Sequence, residues 1–241
     1  MHKLDYYQTL LKTKAYLDSR QEKAGLISQL LGNKITVETV NIVDLGSGSG
    51  IVKARLEEEW GRPIIGIEYD RPFIANPANT CVGDVSEMPF KSGSIDLAIC
   101  NHLFEHVERK REFISDIKRV LKADGLIYLT ICNKYKLIEP HYRLPFLSWL
   151  PKGIADLYLR VTGRGKSYQD ITFYSYQDLT STFIKEGFKI QNITWDAIVQ
   201  NAAKTSFVQR AIIAVMGIIG HKTRDIFINN LSPQWFLIIT K

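Results

Sequence analysis

The chain has 241 residues, 45% hydrophobic and 23% charged, a composition ordinary for a soluble globular protein with enough length for a substantial core. Its N-terminal run, Met1-His2-Lys3-Leu4-Asp5-Tyr6-Tyr7, lacks the apolar core of a secretory signal and points to a cytoplasmic protein, while three cysteines (Cys81, Cys100, Cys132) without metal-ligand spacing argue for reduced, buried thiols and no metal. The net charge of +6 is uneven: residues 133–168 alone supply +5, from Lys134, Lys136, Arg143, Lys152, Arg160, Arg164 and Lys166 against Glu139 and Asp156. Such a region can attract an anionic substrate, a nucleic acid or an anionic membrane surface.

Apolar residues at helical spacing from Leu4 to Leu31 predict one or two amphipathic helices, a cap before the first strand. Residues 39–45 read as a short strand, 49–60 as a helix ending near Gly61, and 63–69 as a second strand, the opening of a βαβ unit with a parallel sheet. Pro72 and Pro77 then leave the next crossover helix short or missing. Cys81-Val82 reads as a third strand, 95–100 as a fourth, 109–121 as a helix and 126–131 as a fifth strand, with Asp124-Gly125 as the turn before it. The basic stretch 133–168, with three prolines, three glycines and six aromatic residues, reads as an inserted lid. A helix over 176–186 follows, begun by Ser175 and Asp178 and closed by Gly187; then come a strand over 188–195, mostly helix over 206–231, and a final strand over 234–240. No linker divides the chain, so 1–241 reads as a single domain.

Val43-Asp44-Leu45-Gly46-Ser47-Gly48-Ser49-Gly50 joins the first strand to a helix. Glycines there allow a ligand to approach the main chain, and the helix N-terminus offers free N–H groups, a surface suited to a nucleotide-like cofactor. Acidic residues recur downstream at Glu68, Asp84 and Asp96. A carboxylate at Glu68, ending the second strand, can accept bonds from both ribose hydroxyls.

These segments, with Gly66-Ile67-Glu68, Gly83-Asp84-Val85-Ser86-Glu87-Met88-Pro89-Phe90 and the run from Ser94 through Asn101-His102-Leu103-Phe104-Glu105-His106-Val107, resemble a class I S-adenosylmethionine-dependent methyltransferase of the small-molecule kind (type-11-like) over about residues 41–132. The resemblance implies an α/β, Rossmann-like fold: a seven-stranded, mostly parallel sheet with helices on both faces, an antiparallel last strand and a lid inserted after strand 5. It implies S-adenosyl-L-methionine as cofactor, with Asp44, Gly46 and Gly48 at its methionyl part and Glu68 at the ribose. Asp84, Val85 and Tyr69 would serve the adenine, and Asn101 the methyl end. Position 51 is Ile, so the dinucleotide pattern with a last glycine is not met.

Methyl transfer to a hydroxyl needs an aligned acceptor and a place for its proton, for which histidine is the natural base near neutral pH. The candidates are His141, in the lid directly after strand 5, and His102 and His106 after strand 4; each has a structural alternative, which for His106 is the stronger reading. The lid's Tyr135, Tyr142, Phe146, Trp149, Tyr158 and Tyr168 suit flat or apolar acceptors, and its cations suit acidic groups; alternatively Phe146, Leu147, Trp149 and Leu150 form a small core of the lid itself. The expected function is methylation, chiefly at oxygen, of a small-molecule, glycan or lipid-linked acceptor. The alternatives are an RNA methyltransferase and a catalytically idle partner subunit. Cys100-Asn101-His102-Leu103 stands where a nucleic-acid enzyme would carry Asn-Pro-Pro-Tyr or Asp-Pro-Pro-Tyr, so a nucleic-acid partner is not expected. The apolar run 211–220 is far below the ~20 residues of a spanning helix, and reads as a fully buried helix or as one resting on a membrane.

Overall fold

A computed structural model describes residues 13–168 and 171–241. Strands β1 (Ile42–Leu45), β2 (Ile64–Glu68), β3 (Thr80–Val82), β4 (Ile95–Asn101), β5 (Leu121–Cys132), β6 (Lys189–Asn192) and β7 (Gln234–Thr240) form one sheet in the order β3-β2-β1-β4-β5-β7-β6. The pairings of β1 with β2 and β4, and of β2 with β3, are parallel, and the last strands are antiparallel, the mixed Rossmann-like sheet expected. The chain divides into two compact units, each with its own core.

The first unit runs to Asn101 and includes Arg109–Tyr128 and Ile239–Lys241. Its described part begins with helix α1 (Lys14–Leu31), started by Thr13, whose hydroxyl accepts from the Tyr16 N–H at 3.3 Å. Leu4, Tyr7, Leu10 and Leu11 of the expected cap lie outside the described residues. Within α1, Ala24, Ile27 and Leu31 recur at three- and four-residue spacing and are buried. Helix α2 (Ile51–Trp60) is closed by Gly61, left-handed at φ 64°. No full helix separates β2 from β3; Pro72 lies in a single 3-10 turn, Arg71–Phe73.

Helix α3 (Lys110–Val120) buries Phe113, Ile114, Ile117 and Val120 and passes straight into β5 at Leu121. This corrects the expected turn at Asp124-Gly125: those residues lie inside β5. A Cβ added at Gly125 would sit 2.8 Å from the Ile95 carbonyl oxygen, so this glycine permits a close backbone approach rather than a reversal. Asp96, near the start of β4, accepts from the Val40 and Asn41 N–H groups and pairs with Lys122 at 2.6 Å, which makes it a brace of the strand entry.

The second unit comprises His102–Glu108 and Leu129–Ile238. Phe104 packs on Tyr174 and Phe183, and Phe183 on Phe188. The basic stretch contains helix α4 (Lys152–Val161) and a cluster of its own, in which Leu144, Leu147, Ala155, Leu159, Tyr168 and Ile171 are buried. The anticipated small core therefore exists around Leu147, while Phe146 and Trp149 remain partly exposed. Helix α5 (Tyr176–Ile184) has Ser175 as its cap, and Gly187 follows at φ 84°.

The expected strand over 188–195 stops at Asn192, whose side chain accepts from the Thr194 N–H at 2.9 Å and starts helix α6 (Thr194–Asn201). Helix α7 (Phe207–Ile218) opens on a capping box formed by Ser206 and Gln209, and helix α8 (His221–Leu231) follows. The sequence reading of a fully buried helix over 211–220 is corrected here, because α7 buries none of its residues. No described helix is long and apolar enough to cross a membrane.

Two leucines of α4 provide a stability test: Leu159 is fully buried and Leu157 is 60% exposed. Leu159→Ala should cost about 2–5 kcal/mol and Leu157→Ala no more than about 0.5 kcal/mol in urea unfolding. Equal losses would contradict the lid core.

Candidate active site

Strands β1, β2, β3 and β4 run in parallel and end together, with Leu45 beside Ile67 and Cys100, and Glu68 beside Val82. Ligands of open α/β sheets bind at this carboxyl edge. All four residues of β1 are buried, and the chain leaves it through Gly46, Gly48 and Gly50 at φ 67°, 54° and 74°, the left-handed region that favours glycine. The Gly50 N–H donates to the Ser47 carbonyl at 2.9 Å, and the Ser47 N–H to the Ile67 carbonyl at 3.0 Å. No side chain caps α2, so its first-turn N–H groups are not taken by a capping residue.

Three carboxylates lie at or just beyond the ends of these strands: Asp44 in β1, Glu68 ending β2 and Asp84 two residues past β3. Glu68 accepts from the Gly48 N–H at 2.8 Å and, through its other oxygen, from the Asp70 N–H at 3.1 Å. A carboxylate has about four lone-pair positions, so capacity remains for hydroxyl donors. Asp44 is 4% exposed, and burial pushes its carboxyl up to about 7, with the Lys53 charge opposing the rise and Glu68 adding to it. Asp84 accepts from the Ser86 N–H at 2.7 Å and from the Arg109 guanidinium at 2.8 Å. Burial works to raise its pKa, but these bonds hold it below the usual aspartate range. Val85 is buried in the same turn, Tyr69 is 71% exposed just past β2, and Asn101 is the last residue of β4.

Sequence reasoning missed four contributors. The Ser47 hydroxyl is buried inside the glycine turn with no hydrogen-bond partner. Gly66 makes room for it, since an added Cβ would lie 2.8 Å from Ser47 Oγ. Lys53 is fully buried, its ammonium donating to the Ala78 carbonyl at 2.7 Å and pairing with Glu57 at 3.3 Å, which fastens the link before β3 to α2. Arg109 follows the fourth segment in sequence, and nothing in that spacing announced its pairing with Asp84.

The turn, with an orphaned hydroxyl, a buried carboxylate that a bound cation would stabilise, and a second carboxylate with spare lone pairs, fits the ammonium, backbone-binding and ribose groups of an adenosyl amino acid. Asp44, Gly46, Gly48, Glu68, Asp84 and Val85 are the residues that would hold it.

The three histidines lie in the second unit. His141 Nδ1 is 2.7 Å from Glu139 Oε1, and the Tyr142 N–H donates to the other oxygen at 2.6 Å. Glu139 is fully buried; although burial works to raise its pKa, the His141 and backbone hydrogen bonds hold its carboxyl below the usual glutamate range. The ring of His106 meets that of His141 edge-on, centroids 5.0 Å apart. His102, left-handed at φ 54°, places Nδ1 3.4 Å from Glu105 and 3.9 Å from the Cys132 thiol. His102, Glu105 and Cys132 thus form a set of donors that could hold a metal ion, their ligand atoms all within 4.8 Å, which spacing along the chain did not disclose. Of the cysteines, Cys100 and Cys132 are buried as expected; Cys81 is half-buried, its thiol directed to the Gly66 carbonyl.

Residues 43–129 match the family model described as a methyltransferase domain. The chain carries a class I S-adenosylmethionine-dependent methyltransferase domain. This domain is 27% identical over 109 residues to malonyl-[acyl-carrier protein] O-methyltransferase 1 of Coxiella burnetii, a match covering 44% of this chain and 39% of that relative's length. The fold is shared with a methyltransferase solved with the Haloferax volcanii Trm112 methyltransferase activator (TM-score 0.56, 14% identity, 99% of this chain and 97% of that one). It is also shared with phosphoethanolamine N-methyltransferase 2 of Haemonchus contortus, solved with phosphomonomethylethanolamine and S-adenosylhomocysteine (TM-score 0.52, 14% identity, 89% of this chain and 52% of that one).

The Asp44 environment of this methyltransferase domain has a measurable signature. An unfolded aspartate loses its proton near about 4, whereas folded Asp44 holds its proton to about 7. The folded state therefore binds more protons between these values, and stability falls as pH rises through that window. Urea unfolding across it should show a decline on the order of 3–4 kcal/mol that Asp44→Asn removes. Parallel pH profiles for the two proteins would contradict this.

Proposed function

We propose that the protein is an S-adenosylmethionine-dependent methyltransferase, a single domain with residues 133–168 as substrate lid, that methylates oxygen on a small-molecule, glycan or lipid-linked acceptor. The observation that carries the choice of oxygen is the pairing of His141 with the buried carboxylate of Glu139. An ionised Glu139 can only accept, so it fixes the proton of a neutral His141 on Nδ1 and leaves Nε2 as an acceptor. That atom can take the proton of an acceptor hydroxyl, and Glu139 then stabilises the imidazolium.

When bound, S-adenosylmethionine supplies an electrophilic methyl group on a sulfonium. The glycine turn and Asp44 hold its amino-acid end, Glu68 the ribose, and Asp84 with Val85 the adenine. Of the other candidates, His106 orients the His141 ring by edge contact, and His102 with Glu105 is a looser second acid–base pair. Exposed Ile154, Leu157 and Val161 lie along one face of α4 among Lys152, Arg160 and Arg164, a surface suited to an acceptor with an apolar part and an anionic group. An acceptor of that kind, carried on a lipid, would be met at a membrane surface.

Calorimetry should detect binding of both S-adenosylmethionine and S-adenosylhomocysteine. Glu68→Ala and Asp84→Ala should each weaken it about tenfold or more, the loss of a hydrogen bond to a charged group, while His141→Ala should leave it unchanged. Absence of binding by the unaltered protein would refute the cofactor assignment, and unchanged affinity in the two acidic variants would refute their roles.

A further inference from the structure

We infer that the helical pair α7–α8 is a docking surface for an anionic lipid bilayer. Helix α7 has 12 residues and none is buried. Phe207, Val208, Ile212, Val215 and Ile218 are exposed, between 58% and 87%, and at about 100° per residue they fall within one arc of about 140°. The other side of α7 faces the protein, where Gly217 approaches the Trp195 ring. On α8, Ile226, Phe227 and Leu231 are exposed within a similar arc, while Ile228, on the far side, is buried. Folding of the second unit leaves these side chains in water, which costs burial energy unless another apolar phase covers them.

Charge selects the occupant. Between Asp196 and Asp225 the chain has no acidic residue, and it carries Lys204, Arg210, Lys222 and Arg224. Arg224 is engaged with the Trp195 ring and His221, whereas Arg210 and Lys222 are exposed, about 60° and 40° around their helices from the edges of the apolar arcs, within reach of long, flexible side chains. A two-fold dimer would set this surface against itself and bring like charges together. An anionic bilayer takes the apolar side chains into its acyl boundary and the cations among its headgroups. At about 1.5 Å per residue neither helix can span the ~30 Å hydrocarbon core, so both lie in the interface plane.

The inference does not depend on methyl transfer, and its test is separate. The full chain should float with vesicles of phosphatidylcholine and phosphatidylglycerol, far less with phosphatidylcholine alone, and added salt should weaken the association. Ile212→Asp with Val215→Asp should abolish flotation, and Arg210→Gln with Lys222→Gln should weaken partitioning about 30-fold. Both variants change exposed residues, and their thermal unfolding and S-adenosylhomocysteine binding should match the parent protein. Failure to float with anionic vesicles, or flotation of both variants at the parental level, would overturn the inference. So would a parent protein that is dimeric without lipid and becomes monomeric on Ile212→Asp with Val215→Asp.

Discussion

The hydrogen bond from the Gly48 N–H to the Glu68 carboxylate is the contact around which the cofactor half is organised. It ties the exit of β1 to the end of β2, and it can form only because Gly46, Gly48 and Gly50 take left-handed conformations that fold the backbone toward that carboxylate. Gly66 contributes from the neighbouring strand by letting the Ser47 side chain settle against it. Burial of β1 then places Asp44 where its charge is costly, a cost that a bound ammonium group would offset. A cation held here would therefore stabilise the fold as well.

The strand–turn–helix and the order of the acidic segments were legible because glycine conformation and strand periodicity are local properties. Residues that meet only through tertiary structure were not. Asp124-Gly125 has the composition of a turn, yet the close approach of Ile95 uses the missing side chain within a strand. Arg109 reaches Asp84 across 25 positions, and Cys132 meets His102 and Glu105 only after the chain has folded. Glu139 could have been found: it lies two residues from His141, and a carboxylate at that spacing is within reach of the ring. Helix α6 escaped because the side chain of Asn192, not a change in hydrophobic pattern, ends the preceding strand.

The second unit departs from what an apolar sequence ordinarily does. The run 211–220 reads as core by composition, but α7, which holds most of it, buries none of its residues, and the exposed face of α4 repeats the combination of aliphatic side chains with lysine and arginine. Both features fit the amphiphilic acceptor proposed above. The Glu139–His141 pair lies in this same unit, with Glu139 fully buried and its carboxyl held below the usual glutamate range by the His141 and backbone hydrogen bonds.

The proposed methyl transfer to a hydroxyl, assisted by His141, can be followed as transfer of labelled methyl from S-adenosylmethionine to the components of a metabolite and lipid extract. The unaltered protein should give a labelled O-methylated product, and Glu139→Gln and His141→Ala should lower the rate by about 10²–10⁴. Full-rate labelling by both variants, or label appearing only on nitrogen or carbon, would contradict it.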